Sequence, residues 1–341
     1  NETLPTNTDV RFQVAVSEPL PPQIEAVNFQ HESLRSERVR EFLDAVRPTL
    51  DDARDVFDIA SQVRSLTDHG PSPGTHLEND PLELLRRARA GEPFTCRPFA
   101  LLFGECVVEK GYTSRLLGLS RTGRVFDHAV SEVYVPAFGK WVIIDPDFNI
   151  AYRRRGVWQN AAELHDAWQE LKARHPEKRL GESPHPEFDA DVQRELHDRM
   201  ELQMVVLSDS GQPLRRRNLD SLGTGIGLEF YEHVIYHARN NYLGAEYPKG
   251  HPKRTFQYVV QSMRSATPPS VCPEAVVVTS RDNLYFPVGR TEIRVVSTAG
   301  ESAIRLRLGT WTPNFSHFET RTNTGPWIKQ PSDRVDLALF P

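Results

Sequence analysis

The sequence predicts an α+β protein with a helical first third, a central antiparallel sheet and a β-rich end. Apolar residues recur at spacings of three and four up to about residue 110, which is the period of a buried helix face. Runs rich in β-branched and aromatic residues follow between Ser114 and Asp145 and return from Val276 onward. The chain of 341 residues is longer than most single domains, so we expect a core with additions.

Composition and charge limit the classes of partner. Apolar residues make up 38% and charged residues 26%, as in ordinary globular proteins. The net charge of -5 provides no broad cationic surface, and the longest basic runs, Arg153–Arg155 and Arg215–Arg217, fit solvated loop ends. Nucleic acid is therefore not expected as a partner. No apolar run approaches the roughly 18 residues of a membrane span. Because the chain begins with Asn1, an extracytoplasmic location after loss of an N-terminal signal or anchor stays open.

The first elements are an arm and three helices. Residues 1–35 are rich in Pro, Thr, Asn and Glu, and their alternating piece at Val10–Val16 fits an edge strand of an arm lying over the body. The apolar spacing predicts two helices between Ser36 and Leu66, broken near Pro48. A third, short helix is predicted over Pro81–Ala90.

The next helix begins with a cysteine. The residues after Cys96 are mostly apolar, Pro98 fits the first turn, and Gly111 fits the C-terminal end. Cys96 should therefore lie at a helix N-terminus, where free backbone amides and the helix dipole favour a thiolate. The other two cysteines, Cys106 and Cys272, are predicted to be buried thiols in preference to a disulfide bridge.

Three strand-like runs follow this helix, at Ser114–Ser120, His128–Val135 and Trp141–Asp145. The last two predict a hairpin in which Val135 faces Lys140 across a short loop. In that register the side chains of His128 and Asp145 share one sheet face as diagonal neighbours. An imidazole and a carboxylate would then lie within reach of each other.

The remaining chain divides into helices and a β-rich tail. We predict a helix within residues 160–180, a linker over 181–190, and further helices over Asp191–Val206 and Leu228–Asn241. The tail contains five strand-like runs, AVVVTS, LYFPV, EIRVVST, AIRLRLGT and VDLALF. The predicted organisation is an arm (1–35), a catalytic core (36–185), a helical extension (186–270) and a β-rich region (271–341).

Cysteine, histidine and aspartate in this order suggest nucleophilic attack on a carbonyl. A thiolate adds to an amide or ester, an imidazolium protonates the leaving group, and the carboxylate orients the imidazole. Each residue alone has a common structural role. Their joint placement at the start of a helix, the start of one strand and the end of the next makes Cys96, His128 and Asp145 candidate catalytic residues.

The same residues resemble the transglutaminase-like superfamily, which has a papain-like core. The likeness rests on Cys96 at the head of a buried helix and on the run HAVSEVYVPAFGKWVIIDPDFN from His128, with its His-Ala pair, Gly-Lys-Trp turn and Asp-Pro. It covers about residues 80–180. Many members have glycine before the cysteine and tryptophan after His-Ala, where this chain has Phe94-Thr95 and Val130; we expect these differences to affect substrate shape more than chemistry.

The resemblance implies a papain-like fold in which the helix bearing Cys96 packs on an antiparallel sheet. It implies Cys96 as nucleophile, His128 as base and Asp145 as orienting acid. The oxyanion would be bound by the Cys96 amide, with Gln62 on the preceding helix as a second candidate donor.

The leading functional prediction is a thiol hydrolase that attacks an amide carbonyl of a peptide, protein or glycopeptide through a thioester. The alternatives are transglutaminase-type acyl transfer to an amine, and a non-catalytic binding module on the same scaffold. No cofactor is expected.

Two further patterns have ordinary explanations. Glu229, His233 and His237 would share one helix face and could present ligands to a metal, but no further ligand completes the set, so no metal is expected. Trp141, Trp158 and Trp168 are predicted to belong to the core and not to a sugar-stacking surface.

Overall fold

A computed structural model shows a mixed α+β protein built from helices and antiparallel sheet. It describes residues 29–71, 79–176, 194–207, 231–243, 258–261, 268–278, 280–286, 288, 292–298, 303–310, 312–321 and 325–338. The predicted strand at Val10–Val16 and the predicted linker at 181–190 lie outside these residues. No helix within the described ranges is long and apolar enough to cross a membrane.

Five α-helices are described: α1 (Glu37–Val46), α2 (Val56–Ser65), α3 (Pro81–Arg89), α4 (Cys96–Glu109) and α5 (Ala161–Arg174). Side-chain caps begin α2, α3 and α5, whereas α1 and α4 have none. Asp55 accepts hydrogen bonds from the amides of Phe57 and Asp58, and Asn160 forms a reciprocal capping box with Glu163. The predicted pair of helices around Pro48 is confirmed, because a 3₁₀ turn at Arg47–Thr49 separates α1 from α2.

The main sheet has nine strands: β2 (Thr113–Ser120), β3 (His128–Val135), β4 (Lys140–Asp145), β5 (Ile150–Arg154), β6 (Val157–Trp158), β7 (Leu202–Val206), β8 (His233–His237), β10 (Tyr258–Gln261) and β11 (Val276–Val278). Their order is β11-β10-β8-β2-β3-β4-β5-β6, and β7 also pairs with β5. All pairs are antiparallel except β10 with β11. A separate two-stranded ladder joins β1 (Gln30–His31) to β9 (Arg239–Asn240).

The β3–β4 hairpin has the predicted register. Val135 pairs with Lys140, and the turn between them ends at Gly139, whose φ of 62° suits a residue without a side chain. The run continues to the pair of Ser131 with Ile144 without a bulge. His128 therefore begins β3 close to the point where Asp145 ends β4.

The sheet has a hydrophobic layer on each face. Side chains of α1 to α4 pack on one face, where Val142 and Ile144 of β4 point, whereas α5 packs on the other face against Trp141 and Ile143. The alternation along β4 follows the two-residue period of a strand buried on both sides. Helix α4 contacts β2 and β3 directly, which fixes Cys96 relative to the hairpin.

The predicted helix over Asp191–Val206 is confirmed only in part, and the predicted helix over Leu228–Asn241 is wrong where the structure describes it. Only Glu195–Arg199 is helical in the first range, and Leu202–Val206 and His233–His237 are strands of the main sheet. Both strands contain β-branched residues and are paired with strands more than 45 residues away in sequence. This tertiary pairing overrides the local helical pattern, and the sheet extends beyond the predicted boundary at residue 185.

The tail is β-rich, as predicted. Its strands belong to three sheets: a small three-stranded sheet, a two-stranded pair and the main sheet. Strands β12 (Glu292–Thr298), β13 (Ala303–Gly309) and β16 (Arg334–Ala338) form a small antiparallel sheet, and β14 (Glu319–Thr320) pairs with β15 (Ile328–Lys329). The AVVVTS run instead adds β11 to the main sheet. Within the LYFPV run, the described residues form no strand; Leu284 and Phe286 are buried in the core around α5.

Candidate active site

Cys96 is the first residue of α4, as the sequence predicts. Its thiol is free and half-buried. The preceding Thr95 has an extended backbone and makes no side-chain cap, and the first turn carries no acidic residue. No side chain of Thr95 therefore caps the first-turn amides, and the Cys96 side chain lies at the positive end of the helix dipole.

The other two cysteines are inert by comparison. Cys106 and Cys272 are free and buried, which agrees with the prediction of buried thiols. Burial raises the pKa of the Cys106 thiol far above its ordinary value and raises the pKa of Cys272 to about 12. Neither thiol is ionised near neutral pH.

Asp145 binds His128 and is itself held in place. The Nε2 atom of His128 lies 2.6 Å from Oδ2 of Asp145, whose side chain is fully buried. The other carboxylate oxygen accepts hydrogen bonds from the backbone amides of Asp147 and Phe148, at 3.0 and 3.1 Å. The Asp-Pro turn thus orients the acid, and the acid orients the imidazole.

His128 also hydrogen-bonds Cys96, and this contact completes the predicted trio. Because Nε2 is engaged by Asp145, the ring nitrogen that faces the thiol is Nδ1. Burial acts to lower the pKa of His128, but the charges of Asp145 and Cys96 oppose it and raise that pKa well above its ordinary value. The charged imidazolium form of His128 is therefore favoured over the neutral ring.

Two aromatic rings enclose His128. The Phe148 ring centroid lies 5.2 Å from that of His128, and Tyr231 stacks on the imidazole at 6.4 Å with an interplanar angle of 19°. Sequence reasoning missed Tyr231 because it falls in a range predicted to be helical. Its position just before β8, which pairs with β2, is what brings it to the hairpin.

A second histidine–aspartate pair lies beside the first and was not predicted. Nδ1 of His69 is 2.7 Å from Oδ1 of Asp147, whose side chain is only 1% exposed. His69 also stacks on Phe148, with 6.1 Å between ring centroids. Arg64 lies over the Phe99 ring at 5.2 Å and interacts electrostatically with Asp145 and Asp147. The only sequence signal was the second aspartate of the DPD triplet.

Gln62 lies on α2, the helix that was predicted to carry it. Its Oε1 atom is buried and has no hydrogen-bond partner. The adjacent Ser61 hydroxyl is the group on α2 that bonds the loop after Asp145, through Asn149 at 3.2 Å. The role of Gln62 as an oxyanion donor stays a prediction.

The alternative of a histidine metal site loses its geometric basis. His233 and His237 lie on a strand, where a separation of four residues spans about 13 Å instead of one helical turn. Glu229 lies outside the described residues. No group of three His, Cys, Asp or Glu side chains in the described ranges could hold a metal ion. Trp141 and Trp168 are in the core and Trp158 is 8% exposed, as predicted.

The chain was compared with protein-family models, with curated proteins and with solved structures. None of the three comparisons found a match.

Proposed function

We propose that the protein is a thiol-dependent hydrolase with a papain-like, transglutaminase-type core, acting on an amide carbonyl in a peptide, protein or glycopeptide. The single observation that supports this most strongly is the His128 side chain, which hydrogen-bonds Asp145 and Cys96 while Cys96 begins α4. A nucleophile, its base and the group that orients the base are joined in one chain of contacts.

The reaction has two stages. The Cys96 thiolate adds to the carbonyl carbon, and His128 gives its Nδ1 proton to the leaving amine as the carbon–nitrogen bond breaks, which leaves a thioester and a neutral imidazole. Water then attacks the thioester, His128 takes the proton, and the carbon–sulfur bond breaks to release a carboxylic acid and regenerate the ion pair. Asp145 stays ionised and holds the imidazole throughout.

The first turn of α4 supplies the oxyanion site in this proposal. The Cys96 amide and its neighbours are directed toward the thiol end of the helix, where no side chain caps them. Backbone donors of this kind stabilise a tetrahedral intermediate because they need no reorganisation as charge develops.

Alkylation of the three cysteines tests the reactive thiol. We expect iodoacetamide at pH 6 to modify Cys96 at least about 100-fold faster than Cys106 or Cys272, because only Cys96 has a paired imidazolium and the other two pKa values are raised by burial. Peptide mapping by mass spectrometry gives the three rates separately. Equal rates for the three thiols would remove the basis of the proposal.

Turnover is tested with peptide, glutamine side-chain and glycopeptide amides. The unaltered protein should hydrolyse at least one class, and Cys96→Ala should abolish that activity while Cys106→Ala retains it. Running the reaction in ¹⁸O-labelled water with an added primary amine separates hydrolysis from acyl transfer. If amine is incorporated in preference to label, the protein is an acyltransferase; activity in Cys96→Ala would exclude the thiol mechanism.

A further inference from the structure

Phe148 lies between two histidine–aspartate pairs. Its ring contacts His128, the partner of Asp145, and also His69, the partner of Asp147. The two acids are separated by one residue, and the Asp147 amide donates to Asp145. The second pair is therefore part of the same rigid turn as the first.

Solvent reaches this cluster only at selected groups. The side chains of Asp145, Asp147 and His128 are 0%, 1% and 7% exposed. By contrast, His69 is 31% exposed and Cys96 is half-buried. Of these side chains, Cys96 and His69 are therefore the ones with appreciable solvent exposure.

The backbone also joins His69 to the nucleophile. The amide of Gly70 donates to the carbonyl of Phe94 at 2.8 Å, and the amide of Phe94 donates to the carbonyl of Asp68 at 2.9 Å. These two bonds fix residue 69 against the residue that stands two positions before Cys96. His69 accordingly flanks the start of α4 from the chain that leads into it.

The hydrogen bond between Nδ1 of His69 and Asp147 determines whether the other ring nitrogen is a donor or an acceptor. A carboxylate can only accept, so Nδ1 carries the proton of the neutral imidazole and Nε2 carries the lone pair. The Oδ2 atom of Asp147 is buried and has no hydrogen-bond partner, so no donor to this oxygen competes with His69 for the carboxylate. In that tautomer Nε2 is an acceptor on a side chain that is 31% exposed.

We propose that Nε2 of His69 binds and orients the nucleophile that resolves the thioester. This inference rests on the proposed thiol mechanism. The O–H or N–H of water or an amine donates to Nε2 and is held for attack on the thioester carbon. His128 removes the proton that leaves on bond formation, and the carbon–sulfur bond breaks to return the Cys96 thiolate. His69 keeps its own protonation state, so the proton balance of the reaction is unchanged.

A burst experiment separates the two halves of the reaction. The probe is p-nitrophenyl acetate, whose rapid first release of nitrophenol reports acetylation of Cys96 and whose steady rate reports loss of the acetyl group. In His69→Gln we expect a burst of unchanged rate and a steady rate about 10- to 100-fold lower, because orientation of the nucleophile is lost. Added methylamine repeats the steady-state measurement with an N–H nucleophile.

Asp147→Asn provides a second variant with a different signature. An Asn amide can donate to Nδ1, which moves the ring proton to Nε2 and replaces the acceptor by a donor. We expect the same selective fall in the steady rate. His317→Gln is the matched control, because His317 is 29% exposed and pairs with Glu319 at 3.2 Å far along the chain; it should leave both phases unchanged.

The outcomes distinguish the two claims. Absence of a burst in the unaltered protein, with Cys96 not acetylated by mass spectrometry, would overturn the thiol mechanism and the inference with it. A normal burst with an unchanged steady rate in both variants would overturn the role of His69 alone. Loss of the burst in a folded His69→Gln protein would also overturn it, because His69 would then serve the first stage.

Discussion

At the scale of single residues, His128 is subject to opposing influences on its proton. Burial favours the neutral ring, whereas the charges of Asp145 and Cys96 favour the cation and prevail. Because the folded pKa is raised above that of the unfolded chain, the contribution to stability is complete below about pH 6.5 and is lost as pH rises through the folded pKa. The charges of Asp145 and Cys96 thus make the stability of the fold depend on pH.

Asp145→Asn should remove a negative charge that raises the pKa of His128. The Asn oxygen can still accept from the amides of Asp147 and Phe148, so the turn is retained, but the negative charge is lost. We expect the pKa of His128, measured by NMR titration, to fall, and alkylation of Cys96 at pH 6 to slow at least about 10-fold. Asp333→Asn, which disrupts an exposed pair with Arg307, is the control and should change neither. An unchanged titration in Asp145→Asn would contradict the assigned cause.

The positions of individual residues were predictable where the sequence signal was local. Cys96, His128 and Asp145 lie at the ends of elements whose periods are clear in the sequence, so their proximity followed from helix position and hairpin register. Tyr231 and His69 were not predictable in this way. Each reaches the cluster through contacts between distant segments, and an isolated tyrosine or histidine has no local pattern that announces such a contact.

At the scale of elements, a buried ion pair joins the central strands. Arg115 on β2 faces Glu132 on β3 and donates to Oε2 through Nε and Nη2 at 2.9 and 2.6 Å. Both side chains are fully buried. The Oε1 atom of Glu132 accepts hydrogen bonds from the Ala161 amide at the start of α5 and from the Tyr285 hydroxyl. The guanidinium also lies over the rings of Phe29, Trp141, Tyr236 and Tyr285.

Removal of one member of this pair should be costly. Glu132→Leu leaves a buried cation without its partner, and we expect the free energy of unfolding in urea to fall by about 3–5 kcal/mol. The double variant Arg115→Met/Glu132→Leu should recover part of that loss because no uncompensated charge remains. Asp336→Asn, at an exposed pair with Arg305, should leave the free energy of unfolding nearly unchanged. A similar cost for Glu132→Leu and Asp336→Asn would refute this account.

Elements with a strong period and a cap were predicted well, and strands whose partners are distant were not. The start of α5 follows from Asn160 and Glu163, a capping pattern visible in the sequence. The strand at His233–His237 has histidines four residues apart, which also fits a helix face. Its pairing with β2, more than 100 residues earlier, and with β10 on its other edge selects the strand, and that information is not local.

At the scale of the whole molecule, four separate parts of the chain meet at a buried acid pair. Glu105 of α4 and Glu32 before α1 are both 4% exposed and hydrogen-bonded to each other. Glu32 accepts from the amide of Leu243, and its carbonyl accepts from Asn314 of the C-terminal region. Burial, followed by the charge of Glu32, raises the pKa of Glu105 well above its ordinary value. As pH rises, the unfolded chain therefore loses the Glu105 proton first, and the folded protein loses it only at a higher pH.

Glu105→Gln should stabilise the protein at alkaline pH. A raised folded pKa gives a contribution that is complete below about pH 4.5 and is lost as pH rises through the folded pKa, and an uncharged amide removes this dependence. We expect the free energy of unfolding to fall less between pH 5 and pH 9 in the variant than in the unaltered protein, by at least about 1 kcal/mol. Urea unfolding at several pH values measures this, with the exposed Glu37→Gln as control. A parallel pH profile in Glu105→Gln would show that the buried pair is not its source.

The central position of β2, between β3 and β8, has a consequence for synthesis of the chain on the ribosome. The hairpin partner follows β2 within a few residues, but the other edge waits until residues 233–237 have emerged. At a typical rate of about 5–20 residues per second, that edge stays open for several seconds as a template for wrong pairing. Tyr231 is made immediately before β8. Its ring can therefore reach His128 as β8 pairs with β2. Cys96 is therefore made more than 130 residues before Tyr231, the residue whose ring stacks on His128.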